Sequence, residues 1–138
     1  MFGISAEVRE ERIKEYASRF EIEAALGDLI SSYSHGMKQK VALIGAFIHE
    51  PKLLVLDEPF VGLDPKAAFT LKEIMHELCG RGTAVFFSTH VLDVAQKLCN
   101  KIGIIKGGKM IASGKMDELI GDKSLEDVFL EVVDHDEK

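Results

Sequence analysis

Leu53-Leu54-Val55-Leu56-Asp57-Glu58-Pro59 decides how the rest of this chain is read. Four apolar residues in succession predict a strand buried on both faces, as in the parallel sheets of α/β proteins. The strand ends in two carboxylates and then a proline, which cannot continue it. Delivering two carboxylates at the tip of a buried strand is costly unless they meet a cation or a polar ligand. In open α/β sheets that C-terminal tip is also where ligands bind. Asp57 and Glu58 are therefore the first candidate functional residues, although a strand that merely ends at the surface would read the same way.

Working outward, Asp64-Pro65 predicts a helix start, with Asp as cap and Pro at the first helical position. Ala68, Leu71, Met75 and Leu78 carry that helix to a stop at Gly80-Arg81-Gly82. Ala84 to Phe87 reads as a second buried strand, and Val91 to Leu98 as a further helix. Ile102–Ile105 and Met110–Ala112 flank Gly107-Gly108, a two-residue hairpin turn. Ser124 is placed to cap a last helix running to about Val133. Upstream, Glu7 to Phe20 is amphipathic, with Ile13, Tyr16, Ala17 and Phe20 on one stripe and Ser5 as N-cap. A shorter helical stretch is expected from about Ile22 to Ile30. Met37, Val41, Ile44 and Ile48 then mark one face of a helix that Pro51 brings to an end. Strand alternating with helix is α/β grammar and predicts a largely parallel sheet with flanking helices. The expected division is a helical lobe over 1–48 and the α/β core over 49–138.

The 138 residues suffice for one domain of ordinary size, and 46% hydrophobic with 29% charged residues is the profile of a soluble globular chain. With 17 basic against 23 acidic residues the net charge is −6, which argues against a general nucleic-acid binder. Cys79 and Cys99 fit no metal-ligand spacing and read as reduced thiols of a cytosolic chain. The longest apolar run, Val41 to Ile48, is far short of the ~20 residues a membrane span needs. The N-terminus carries no basic-plus-apolar signal segment.

Four stretches in one order give the chain its resemblance. Leu53–Pro59 resembles a Walker B motif. Before it, Tyr33-Ser34-His35-Gly36-Met37-Lys38-Gln39 opens a helix and resembles the signature motif of ABC ATPases, LSGGQ in its usual form. After it, Val61-Gly62-Leu63-Asp64 resembles the family's D-loop, and Ser88-Thr89-His90 ends in a match to its switch histidine. The later hairpin and the SLEDVFLEVV ending are similar to ATP-binding subunits of bacterial exporters. The resemblance thus covers nearly the whole chain. It implies the C-terminal half of a P-loop NTPase fold, together with part of the ABC helical lobe.

The same resemblance implies roles. Asp57 would hold Mg²⁺ through water, as suits a hard cation with oxygen ligands. Glu58 would orient or deprotonate the attacking water, and His90 would stabilise charge as it develops. Ser34, His35, Gly36 and Met37 would grip the γ-phosphate of ATP held by the opposite subunit, at the N–H groups of a helix start. Asp64 would touch that subunit. Simpler roles compete: Ser34 and Asp64 are good helix caps in any protein, and a lone histidine is more often structural. Implied partners are a second ATP-binding subunit and a transmembrane permease, with ATP and Mg²⁺ as cofactors. The implied location is the inner face of the cell membrane, on the cytoplasmic side.

Tyr33, His35 and Met37 depart from the usual Leu, Gly and Gln of the signature, while Ser34 and Gly36 are retained. Gly62 departs from the commonest D-loop. A P-loop, G-x-x-x-x-G-K-[ST], is not found. The nearest string, Gly103 to Met110 (GIIKGGKM), ends in Met, which cannot ligate Mg²⁺, and it reads as strand and hairpin. In the family the P-loop, the adenine-stacking aromatic and the Q-loop glutamine precede the helical lobe. The expectation is that Met1 is an internal methionine of a longer parent, that the isolated chain is inactive, and that it self-associates. Two other readings stand beside this: a non-enzymatic module lending its signature in trans, and the head of a chromosome-maintenance ATPase. The sustained heptads of the latter are not seen.

Overall fold

The computed structural model describes residues 4–25, 27 and 34–136. These fall into two compact units, 1–88 and 89–138. Tyr33, and much of the helix expected over Ile22–Ile30, lie outside the described residues. What is described there is a single 3₁₀ turn, Glu23–Ala25.

The first unit opens with α1, Ala6–Arg19, whose N-cap Ser5 accepts from the Val8 N–H as expected. Tyr16, Ala17 and Phe20 on its inner stripe are buried, and the Tyr16 ring packs on Phe47 with centroids 5.5 Å apart. Phe47 belongs to α2, His35–Phe47, whose buried face is Leu43, Ile44 and Phe47. Ile44 was expected there; Val41 and Met37 are only half-buried. Arg12 closes this lobe. Its guanidinium donates to the carbonyl of Ile48 and pairs with Glu50 at 3.3 Å.

β1, Leu53–Asp57, pairs in parallel with β2, Ala84–Ser88, and the register sets Asp57 opposite Ser88. Between them runs α3, Pro65–Gly80, with Asp64 as N-cap and Pro65 in its first turn, as the Asp-Pro pair predicts. Leu71, Ile74, Met75 and Leu78 bury its inner face.

The expectation that β1 and β2 are buried on both faces is corrected. Leu54 is buried, but Leu53, Val55 and Phe86 are 59%, 63% and 67% exposed. Among the described residues this sheet has two strands, and neighbours pack closely on the side of Leu54 while the side of Leu53, Val55 and Phe86 stays open. A strand's side chains point alternately to its two faces, so the uncovered side exposes every second apolar residue.

The second unit begins beyond Ser88 with α4, Leu92–Leu98. It continues as an antiparallel hairpin of β3, Lys101–Lys106, and β4, Lys109–Lys115. Gly107 and Gly108 form the turn with φ of 58° and 79°. Two positive φ values are what a type I′ turn requires, and glycine adopts them without strain. α5, Met116–Ile120, was not expected from the sequence, whereas α6, Leu125–Asp136, was. Ser124 Oγ accepts from Asp127 N–H at 3.1 Å, the expected cap. Ala95, Met116 and Leu125 form the small core, with Leu92, Ile102 and Ile120 against it.

Candidate functional site

The parallel register carries the ends of β1 and β2 to the same place, and the chemistry gathers there. Ser88 Oγ donates to Asp57 Oδ1. The Glu58 N–H donates to Ser88 Oγ at 3.0 Å and to the Ser88 carbonyl at 3.2 Å. One serine therefore orients the Asp57 carboxylate through its hydroxyl and accepts the Glu58 N–H at both its hydroxyl and its carbonyl. Glu58 itself adopts φ of +46°. A residue with a Cβ in that left-handed region costs about 1–2 kcal/mol, and such strain gathers at functional sites. Glu21 and Glu50 also have positive φ, but each follows the end of a helix, where left-handed residues are common. Glu58 sits at a strand tip.

The start of α2 abuts the loop that follows. Ser34 Oγ accepts from the Met37 N–H at 3.2 Å, so the serine is an N-cap. Gln39 Nε2 donates to the carbonyl of Pro59 at 2.8 Å. A Cβ on Gly36 would lie 2.8 Å from the carbonyl oxygen of Gly62. A Cβ on Gly62 would lie 2.4 Å from Cδ2 of His35. Gly62, with φ of +84°, admits no other residue without strain. Asp64 Oδ1 accepts from the Ala67 N–H at 2.8 Å and is exposed. Between α2 and β1 lies an open cleft of about 180 Å³, lined by Gln39, Leu43, Val55, Asp57 and Pro59 among others.

The first unit thus brings together Asp57, Glu58, His35, Gly36, Met37 and Asp64 along one strand-tip, loop and helix-start segment. His90 falls in the second unit, exposed, just before the Val91 cap of α4. Gly103 to Met110 lies in the β3–β4 hairpin and opens no helix, so it cannot form a P-loop. Two residues were missed from the sequence. Ser88 was readable only as the residue before Thr89-His90; its role follows from the register. Gln39 was seen as part of the signature stretch, but its bond to Pro59 joins residues far apart in the chain.

Asp57 and Ser88 offer the oxygen donors that a small hard cation takes when phosphates complete its shell. Among the described residues no group of three or more His, Cys, Asp or Glu could hold a metal alone.

Residues 7–92 match the family described as "AAA domain, putative AbiEii toxin, Type IV TA system", which sets the class of the fold. The chain is 38% identical over 140 residues to the ABC-type transporter ATP-binding protein EcsA of Bacillus subtilis, covering 98% of this chain and 57% of that one. It is 36% identical over 121 residues to the Nod factor export ATP-binding protein I of Neorhizobium galegae, covering 88% of this chain and 35% of that one. A solved ATP-binding subunit of an ABC transporter superposes with a TM-score of 0.89 at 34% identity, over 95% of this chain and 57% of that one. The chain belongs to the family of ABC-transporter ATP-binding subunits. It spans little more than half the length of EcsA and about a third of the Nod factor export protein.

Proposed function

We propose that this chain is the signature-and-Walker-B part of a subunit whose ATP hydrolysis powers export across a membrane. The observation that supports it most is the joint placement of Asp57, Glu58 and Ser88 at paired strand tips, beside a helix start that touches the following loop. In this reading Mg²⁺, when bound with nucleotide, supplies charge neutralisation on the phosphates. Asp57 would hold it, with its carboxylate oriented by Ser88.

Glu58 takes the proton of the attacking water, or orders that water, at a carboxylate whose backbone is pinned to β2. General bases of this kind contribute about 10²–10⁴-fold in rate. His90 donates a hydrogen bond to the oxygen on which charge develops. Ser34, His35, Gly36 and Met37 present backbone N–H groups and a hydroxyl to the γ-phosphate of ATP on the opposite subunit. Asp64 contacts that subunit. Partners in this reading are a second ATP-binding subunit and a membrane permease. The subunit then works from the cytoplasmic side of the membrane, and none of the described helices is long and apolar enough to cross it. Export is favoured by the likeness to a Nod factor export subunit.

The test is the nucleotide-held dimer of the subunit that contains this segment. Ser34→Ala should reduce the dimer fraction seen by light scattering with Mg-ATP. An unchanged fraction contradicts the trans-signature assignment. If adding the chain to an intact ATP-binding subunit raises its ATPase, while Glu58→Gln in the chain makes no difference, the chain acts as a non-enzymatic module instead.

A further inference from the structure

Two of the four positions named above as departures from the usual motifs, His35 and Gly62, face each other in space. His35 stands where the signature usually has glycine, and Gly62 stands in an atypical D-loop. Cδ2 and Nε2 of His35 would lie 2.4 and 2.9 Å from a Cβ on Gly62. Real Cβ atoms do not come so close to a ring, so the imidazole edge occupies the very space a side chain at position 62 would need. On the other side, a Cβ on Gly36 would meet the Gly62 carbonyl oxygen at 2.8 Å. Gln39 adds a third tie, from its amide to the Pro59 carbonyl at 2.8 Å.

We infer that His35 is a positioning residue. Its imidazole, seated on Gly62, fixes the loop Pro59–Asp64 to the start of α2, so that Ser34 and Asp64 are set as one body. Among the described residues, Val61 N–H donates to Glu58 O at 3.2 Å and Leu63 N–H to Phe60 O at 3.3 Å. The first half of the loop is anchored outward, since Pro59 is fully buried and the Phe60 ring meets Phe87 edge-on with centroids 5.8 Å apart. His35 adds a tie in the second half, between Gly62 and the start of α2. The ring lies where a side chain at position 62 would stand, and the φ of +84° calls for glycine there on its own account.

What the coupling serves, joining the phosphate grip to the subunit contact, rests on the reading proposed above. The coupling does not, and its test leaves that reading untouched. The test uses the full chain in four forms: wild type, His35→Gly, Gly62→Ala, and the double variant. The strain of alanine at φ +84° is common to both backgrounds and cancels in the cycle. Gly62→Ala should lower the folding constant about tenfold more when His35 is present than in the His35→Gly background, within the range of coupling between touching residues. Should Gly62→Ala fail to fold, His35→Gly alone suffices through amide hydrogen exchange. Exchange at Val61 and Leu63 should speed up about tenfold or more, with Leu71 and Ile74 of α3 unchanged, because the loop opens locally. Equal acceleration at all four sites would make His35 a general stabiliser. That result, additive effects in the cycle, or unchanged loop exchange would each overturn the inference.

Discussion

Two glycines in one helix make a matched experiment, because the same substitution should have opposite signs at each. Gly45 is an exposed interior position of α2, and a Cβ there would meet nothing within 4 Å. Gly45→Ala should stabilise by about 0.5–1 kcal/mol, from the lower backbone entropy of the unfolded chain and the better helix propensity of alanine. Gly36 lies in the first turn of the same helix, where a Cβ would stand 2.8 Å from the Gly62 carbonyl oxygen. That obstacle is backbone, which cannot swing aside as a side-chain end would. Overpacking of this kind costs about 1–3 kcal/mol, and the propensity gain offsets only part of it. The propensity gain is shared, so the two variants should differ by about the overpacking cost, about 1–3 kcal/mol. For a chain of this size, at about 3–4 °C per kcal/mol, their melting midpoints should lie about 3–12 °C apart. Far-UV circular dichroism with heat and urea measures this. If two transitions are seen, amide exchange at Leu43 and Ile44 identifies the one that carries α2. A Gly36→Ala variant as stable as Gly45→Ala would refute the close approach of the signature helix to the loop.

Other outcomes follow from the same structure. Burial raises the Tyr16 hydroxyl above its ordinary value near 10, with the carboxylates of Glu15 and Glu50 adding to the effect and Arg81 opposing it. A raised folded value means stability is intact below about pH 10 and falls as pH rises through the folded value, so alkaline unfolding should be shallower in Tyr16→Phe; an unchanged profile counts against this. The open sheet face of Leu53, Val55 and Phe86, with strand edges that pair no further strand among the described residues, should make the chain self-associate, and light scattering showing a clean monomer at micromolar concentration would contradict it. The isolated chain should bind Mg-ATP weakly, since an exposed helix start contributes only about 0.3–1 kcal/mol toward an anion; micromolar affinity by calorimetry would defeat that expectation.

What could be read from the sequence was the chemistry that acts locally. Ser5, Asp64 and Ser124 cap helices because each side chain reaches an N–H three residues on, and that needs no tertiary information. Gly107-Gly108 turned the hairpin for the same kind of reason. The burial of β1 and β2 was misread because an uninterrupted apolar run has no periodicity. It cannot tell a two-sided core strand from one whose second face stays open. α5 escaped because it is five residues long and its N-cap, Lys115, makes no capping bond. At the candidate site, Asp57 and Glu58 were legible from the strand that ends in them. The Ser88 bridge and the fit of His35 against Gly62 were not, since both depend on which segments the fold sets side by side.

Glu58 carries the proposed chemistry, and one substitution isolates its contribution. In a subunit of the proposed kind that carries these residues, Glu58→Gln keeps the shape of the side chain and the strained backbone pinned to Ser88. The amide cannot accept a proton from the attacking water. Steady-state ATPase should fall by about 10²-fold or more, while ATP affinity, measured separately by calorimetry, stays within about threefold. Turnover near that of the unmodified subunit would contradict the assignment of this strand tip as the catalytic centre.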